Sequence, residues 1–187
     1  MTKGELRKKY KDLRKTLSIE GIETQSLAIA NQLLELPIWS KTYYHLFLSI
    51  TEHKEVQTEL ILHILHAKDK EVIISKSNFK TQELTNYLLT DNTVIKKNTW
   101  GIPEPVDGIT VNNSKIEVVF VPLLAFNKEG HRVGYGKGFY DKFLSKCRPE
   151  TIKIGLSFFE VEDLITGIIE SDVALDYCVT PKTIYIF

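Results

Sequence analysis

Apolar residues recur at helical spacing from Lys3 to Leu17, where Leu6, Tyr10, Leu13 and Leu17 predict an amphipathic helix with a strongly basic outer surface. Ser18 then opens S-I-E-G-I-E-T-Q-S, and a second helix follows with Leu27, Ala30, Leu33 and Leu34 on one face, before Pro37. Beyond it the pattern changes. Tyr43 to Ile50, YYHLFLSI, is a short aromatic and aliphatic run that predicts a buried strand. Helical spacing returns from Val56 to Lys68, and EVIIS from Glu71 to Ser75 predicts a second strand. IEVVFVPLLAF, from Ile116 to Phe126, is the longest apolar run; a glycine-rich stretch and a helix follow it, then TIKIGLSF and TIYIF as two further strands. The stretch from Asn98 to Asn113 reads as a long polar loop. Strands alternating with helices predict an α/β domain with a largely parallel sheet behind two N-terminal helices.

In such a sheet ligands bind beyond the carboxyl ends of the strands, and the loop after Phe126 leaves the most buried-looking one. That loop reads GHRVGYGKGFYD from Gly130 to Asp141, with Gly134, Gly136 and Gly138 alternating with Tyr135 and Lys137. Glycines let backbone N–H groups converge on an anion. Lys137 adds a point charge and Arg132 a planar fork for phosphate oxygens, while Asp141 falls where a carboxylate holds magnesium against the same phosphates. The pattern is neither a Walker loop nor a dinucleotide fingerprint. Its plainer reading is a tight strand-to-helix turn, but the flanking Arg, Lys and Asp favour an anion site.

Composition narrows the function classes. A chain of 187 residues suffices for one core, so one domain spanning 1–187 is expected. Lys plus Arg and Asp plus Glu both number 24, so no overall field draws in nucleic acid or an anionic membrane, and any anion site is local. The basic N-terminus is not followed by a signal-peptide core and no apolar run reaches bilayer length, which implies a cytoplasmic protein. Cys147 and Cys178 stand far apart and read as reduced thiols, and His63 and His66 lack further ligands at metal-site spacing.

Other candidates are weaker alone. Lys3, Arg7 and Arg14 form one stripe of the first helix; it is able to grip a polyphosphate, but by itself it reads as a solvated basic face. Glu55 has the chemistry to accept paired N–H bonds from a pterin edge, and Trp100 offers a stacking surface. Their ordinary readings are an exposed acid before a helix and a loop anchor. Asp172 and Asp176 are either a second metal carboxylate or turn caps.

Together, K-x-x-L-R at Lys3 to Arg7, E-V-x-T at Glu55 to Thr58, W-G-I-P-E-P at Trp100 to Pro105, and V-P-x-L-A-F-x-K-x-G-x-R-x-G-x-G-K-G-x-Y-D at Val121 to Asp141 resemble the 5-formyltetrahydrofolate cyclo-ligase family. The resemblance implies a single-domain, Rossmann-like three-layer fold and conversion of 5-formyltetrahydrofolate and ATP to 5,10-methenyltetrahydrofolate, ADP and phosphate. It implies ATP contacts from Lys3, Arg7 and the segment Arg132, Val133, Gly134, Tyr135, Gly136, Lys137, Gly138, Phe139 and Tyr140. Folate contacts are expected from Glu55, Trp100 and Tyr135 to Phe139, Mg2+ contacts from Asp141 and Asp172, and catalytic roles for Arg132 and Lys137. The partners implied are small molecules acting on a monomer, with no nucleic acid and no membrane. Two positions depart from the family pattern: Ser75-Lys76 stands where relatives commonly carry Pro-Arg, and Tyr135 where some carry Arg. A small-molecule kinase using the same loop, or a non-catalytic nucleotide- or folate-binding regulator, are the alternatives; an RNA-binding reading of the basic helix is remote.

Overall fold

A computed structural model describes residues 1–187. Its regular elements, in chain order, are α1 (Lys3–Lys15), α2 (Ile19–Leu33), β1 (Tyr43–His45), α3 (Glu59–Ala67), β2 (Glu71–Asn78), β3 (Glu83–Leu88), β4 (Ile95–Lys97), β5 (Pro103–Pro105), β6 (Val118–Pro122), β7 (Ala125–Phe126), β8 (Arg132–Val133), α4 (Phe139–Leu144), β9 (Ile152–Leu156), β10 (Tyr177–Val179) and β11 (Ile184–Ile186). Both N-terminal helices start at side-chain caps. Thr2 and Glu5 form a reciprocal capping box on α1, and Ser18 accepts from Gly21 N–H on α2.

Seven strands form one sheet in the order β11-β10-β9-β6-β1-β2-β3. The inner five pair in parallel and only the two edge strands, β3 and β11, run antiparallel. Along β6 the side chains alternate: Val118 and Phe120 pack beneath α2 and α3, whereas Val119 and Val121 pack beneath α4. Both faces are covered, which makes three layers and explains why β6 reads as an unbroken apolar run. α1 lies apart, packing Leu6 and Tyr10 on Leu124, Ala125 and Val133 at the carboxyl end of the sheet. No helix is long and apolar enough to cross a membrane.

From β1 the chain crosses to β2 on one side and later returns to place β6 on the other side. This is a topological switch point, where the two departing loops splay and open a crevice. The loop after β1 carries Glu55, and the chain after β6 carries the glycine stretch.

Several boundaries differ from expectation. The strand expected over Tyr43–Ile50 is regular only to His45, because the chain turns away at the switch point and the Glu55 carboxylate takes the N–H of Ile50 at 2.7 Å. The apolar run ends as β6 at Pro122, which has no N–H for the ladder, and resumes as β7. The polar loop Asn98–Asn113 contains β5, which pairs with β4, and β3 and β10 went unanticipated. On α2 the buried face is Ile22, Ser26, Ile29, Ala30 and Leu33, while Leu27 and Leu34 are exposed. Ser26 faces inward because its hydroxyl accepts from Gln57 N–H at 3.0 Å.

Candidate active site

The glycine stretch crosses the crevice between β8 and α4. Gly136 and Gly138 adopt φ of 92° and 73°, a region closed to most side chains. At Gly136 there is a second constraint: an added Cβ would stand 3.1 Å from Arg7 Cζ. Arg7 lies across this turn and donates from Nε to Gly134 O at 3.0 Å. Lys137 is exposed at the apex and makes no hydrogen bond within the protein, so its ammonium is free for a ligand.

Tyr135 ties the loop to two buried charges. Its hydroxyl donates to Glu55 Oε1 at 2.7 Å and accepts from Arg14 Nη1 at 2.7 Å. Arg14 also donates to Leu123 O at 2.6 Å. Burial, and then the neighbouring Glu55 charge, push the phenol's pKa far up, so it remains a donor. Arg14 and Glu55 are each 4% exposed. The solvated basic stripe and the exposed acid are therefore both corrected. Leu6, Tyr10 and Arg14 follow one another at intervals of four and are the buried residues of α1, so Arg14 continues the apolar stripe that Leu13, 37% exposed, was expected to continue. That interval is the sequence signal that would have found it.

At the other end of the loop, Arg132 Nη2 donates to Asp141 Oδ1 at 2.7 Å, and Nη1 donates to Val173 O. Burial pulls the guanidinium's pKa down, and Asp141 opposes the shift. Lys3 pairs with Asp172, which also accepts from Ile169 N–H at 2.8 Å. Burial raises the Asp172 pKa, but the Lys3 and Ile169 hydrogen bonds outweigh it and the net shift is downward. Asp141 engages its protein partners through Oδ1 and Asp172 through Oδ2, leaving one oxygen of each carboxylate without a protein hydrogen bond. No cluster of three metal-binding side chains exists. Two spare carboxylate oxygens fit magnesium, which ordinarily takes one or two carboxylates and completes its octahedron with phosphate oxygens and water. Asp176 belongs elsewhere: it bonds the Lys153 backbone and ammonium, at 2.7 and 2.8 Å.

Trp100 is 63% exposed and stacks on Phe79 with ring centroids 4.3 Å apart, and Phe79 meets the edge of Phe139 at 5.1 Å. Lys3, Arg7, Glu55, Trp100, Asp172 and the Gly134–Asp141 stretch, but not Arg14 or Asp176, line one cavity of about 920 Å³. That lies near the top of the range for ligand pockets, roughly 300–1,000 Å³. Of the contacts that the family resemblance implies only Val133 stays outside it, its side chain packed with Leu6 and Tyr10. Phe79 and His45 line the cavity and were not anticipated, because nothing in their local sequence separates them from core positions.

A seven-stranded, mostly parallel sheet covered on both faces, with a cation-flanked glycine loop lining a cavity at its switch point, defines a three-layer α/β protein. The chain belongs to the 5-formyltetrahydrofolate cyclo-ligase family, whose model matches residues 1–181. It is 30% identical to Aquifex aeolicus 5,10-methenyltetrahydrofolate synthetase, whose NMR structure superposes with a TM-score of 0.84 over 100% of this chain and 93% of that one. A 5-formyltetrahydrofolate cyclo-ligase of Mus musculus is 28% identical over 150 residues, 76% of this chain and 73% of the mouse protein. The 5,10-methenyltetrahydrofolate synthetase of Mycoplasma pneumoniae shares the fold, with a TM-score of 0.73 at 22% identity, over 97% of this chain and 99% of that one.

Proposed function

We propose that this chain, acting as a single domain, closes the imidazoline ring of 5-formyltetrahydrofolate to give 5,10-methenyltetrahydrofolate, converting ATP to ADP and phosphate. The observation that carries this reading is the convergence, in one cavity, of the glycine loop with its unpaired Lys137 and the buried Glu55 carboxylate.

The formyl oxygen is a poor leaving group from a resonance-stabilised amide. It attacks the γ-phosphoryl group, ADP departs, and the formyl carbon now carries a phosphate. The second folate nitrogen adds to that carbon and loses its proton, and the carbon–oxygen bond breaks to release phosphate. Phosphoryl transfer asks chiefly for positioning and charge neutralisation, so no protein nucleophile is required. Backbone N–H groups of Gly134 to Gly138 and the Lys137 ammonium neutralise charge on the transferring phosphoryl oxygens. Lys3, Arg7 and Arg132 add positive charge around the nucleotide, and the Tyr135 to Tyr140 segment shapes its pocket. Glu55, fixed by Tyr135 and Ile50, presents its carboxylate to the pterin's amino-pyrimidinone edge. Trp100, with Phe79 and Phe139, gives a flat apolar platform for the folate's rings. Asp141 and Asp172 would hold magnesium, which would supply positive charge to screen the nucleotide's phosphates.

The enzyme is further proposed to work as a cytoplasmic monomer on small molecules, independently of nucleic acid and membranes. The test is a spectrophotometric assay of the methenyl chromophore with 5-formyltetrahydrofolate, ATP and magnesium, each omitted in turn. The chromophore is expected only in the complete mixture, with phosphate released in step. A phosphorylated folate without chromophore identifies a kinase instead, and binding of both ligands without phosphate release identifies a regulator.

A further inference from the structure

The β4–β5 hairpin carries Trp100 at its turn and stands outside the seven-stranded sheet. Its turn is held from within: the Asn98 side-chain oxygen accepts from Trp100 N–H at 2.9 Å and Ile102 N–H at 3.1 Å, and Asn98 N–H donates to Ile102 O at 2.9 Å. Moving the hairpin therefore moves Trp100 with it. Two polar ties from the hairpin to the rest of the protein are exposed, Lys97 with Glu52 at 2.6 Å and Lys76 Nζ to Val106 O at 3.1 Å. Such surface contacts hold little. The remaining tie is buried. Glu104, 6% exposed, accepts from Ser77 N–H at 2.8 Å. The topology leaves this N–H over: β1 ends at His45, opposite Ile73, so further along β2 that edge faces the crevice with no strand beside it, while β3 occupies the other edge. An N–H buried there without a partner would be costly. Pro103 and Pro105 flank Glu104, and a following proline disfavours helical backbone, which keeps Glu104 extended along β2.

We propose that Glu104 is a positioning residue for the folate: by taking the Ser77 N–H at the open edge of β2, it fixes the hairpin so that Trp100 stands on Phe79 at the cavity wall. This rests on the cyclo-ligase reading, in which those two rings form the platform for the folate, and adds the group that sets them. Glu104 does not line the cavity itself, whereas Ser77, Phe79, Trp100 and Ile102 do. It acts through them. The stacked rings, 4.3 Å apart between centroids, come from two separate turns, one after β2 and one between β4 and β5. Phe79 follows Ser77 by two residues and Trp100 precedes Glu104 by four, so a single bond sets the spacing of both halves of the platform. Lys3, Arg7 and the glycine turn stand on other elements, which leaves the nucleotide side of the cavity independent of this bond.

Two substitutions separate positioning from mere stability. Glu104→Gln keeps a carbonyl oxygen for the Ser77 N–H, and Glu104→Ala removes it. In the methenyl absorbance assay, Glu104→Ala is expected to raise the folate KM about tenfold while the ATP KM and kcat stay within about threefold, and Glu104→Gln to keep all three within about threefold. An unchanged folate KM in Glu104→Ala, folate and ATP KM rising together, or Gln as damaging as Ala overturns the proposal and leaves Glu104 a structural residue. Amide NMR of the unaltered protein reads the same bond whether or not Glu104→Ala folds. The Ser77 amide is expected to exchange slowly with solvent, and more slowly still with 5-formyltetrahydrofolate bound, whereas ATP alone leaves it unchanged. Rapid exchange, or a rate indifferent to folate, also overturns the proposal. The Trp100 indole N–H resonance, identified by its loss in Trp100→Phe, is expected to move with folate while that of Trp39, bonded to Leu33 O at 3.2 Å, stays. If the unaltered protein binds no 5-formyltetrahydrofolate by calorimetry, the cyclo-ligase reading has failed first. If it binds and Trp100 responds but Ser77 does not, only the role of Glu104 has failed; if Trp100 is also unmoved, the platform has failed with it.

Discussion

Replacing Tyr135 by Phe tests the relay that connects the glycine loop, α1 and the loop after β1. The ring is retained, and so are its neighbours, the His53 ring at 5.1 Å and the Lys11 ammonium at 5.7 Å. What is lost is one oxygen that bonds two charged groups, Arg14 and Glu55, each 4% exposed. Hydrogen bonds to charged partners contribute about 1.5–3 kcal/mol apiece, and a buried group left unpaired costs its desolvation. Arg14 retains Leu123 O and Glu55 retains Ile50 N–H, so neither is stranded completely. The two losses share one atom and do not add in full, which gives an expected destabilisation of about 2–3 kcal/mol. For a chain of this size that corresponds to a fall in Tm of roughly 4–12 °C. Urea titration and thermal melts measure it, and steady-state kinetics should show KM for folate rising more than KM for ATP, since Glu55 is the group released. A variant with unchanged Tm and unchanged folate KM refutes the relay as a source of either stability or orientation.

Lys137→Ala, at an exposed apex, should leave stability unchanged and lower kcat about 10²–10³-fold while folate Kd stays within about twofold, as measured by the methenyl absorbance and by calorimetry. Asp141→Asn should shift the magnesium dependence of activity to higher concentration; an unchanged titration removes Asp141 from the metal site. A pH effect follows from His45, whose folded pKa of about 3 lies below its unfolded value near 6.5. The unfolded chain takes up this proton first, so the contribution is complete above pH ~6.5 and is lost progressively as pH falls towards ~3, amounting to about 2 kcal/mol at pH ~5. Urea midpoints at pH 7.5 and 5.0 should differ more for the unaltered protein than for His45→Asn, and equal differences contradict the assignment.

Much of the architecture is legible in the sequence because the elements that build the sheet are buried on both faces. Val118–Pro122 and Ile152–Leu156 read as strands from composition alone, and their alternation with helices fixes parallel pairing. The antiparallel edge strand Glu83–Leu88 is half-covered and carries Glu, Thr, Asn and Tyr, so its pattern is too polar to stand out. The glycine loop is legible for a different reason, since glycines at Gly136 and Gly138 answer a backbone demand that other residues meet poorly. Glu55 and His45 are not legible in that way. Each is a polar residue buried by a partner distant in the chain, Tyr135 for the first and Ser75 for the second, and local patterning carries no information about such pairs. Arg14 also depends on Tyr135, but its interval of four from Tyr10 continues the buried stripe and is readable. Lys3, at the other end of α1, again has its partner far along the chain, at Asp172.

The central claim is spatial: the outer phosphates of ATP lie on the Gly134–Gly138 turn while the pterin lies against Glu55 in the same cavity. A crystal structure of the protein with 5-formyltetrahydrofolate and a non-hydrolysable ATP analogue tests it most directly. The account predicts γ-phosphate oxygens within hydrogen-bonding distance of that turn's amides and the Lys137 ammonium, with the formyl oxygen in line. A triphosphate bound away from the turn, or a turn filled by the protein's own side chains in the ternary complex, contradicts it.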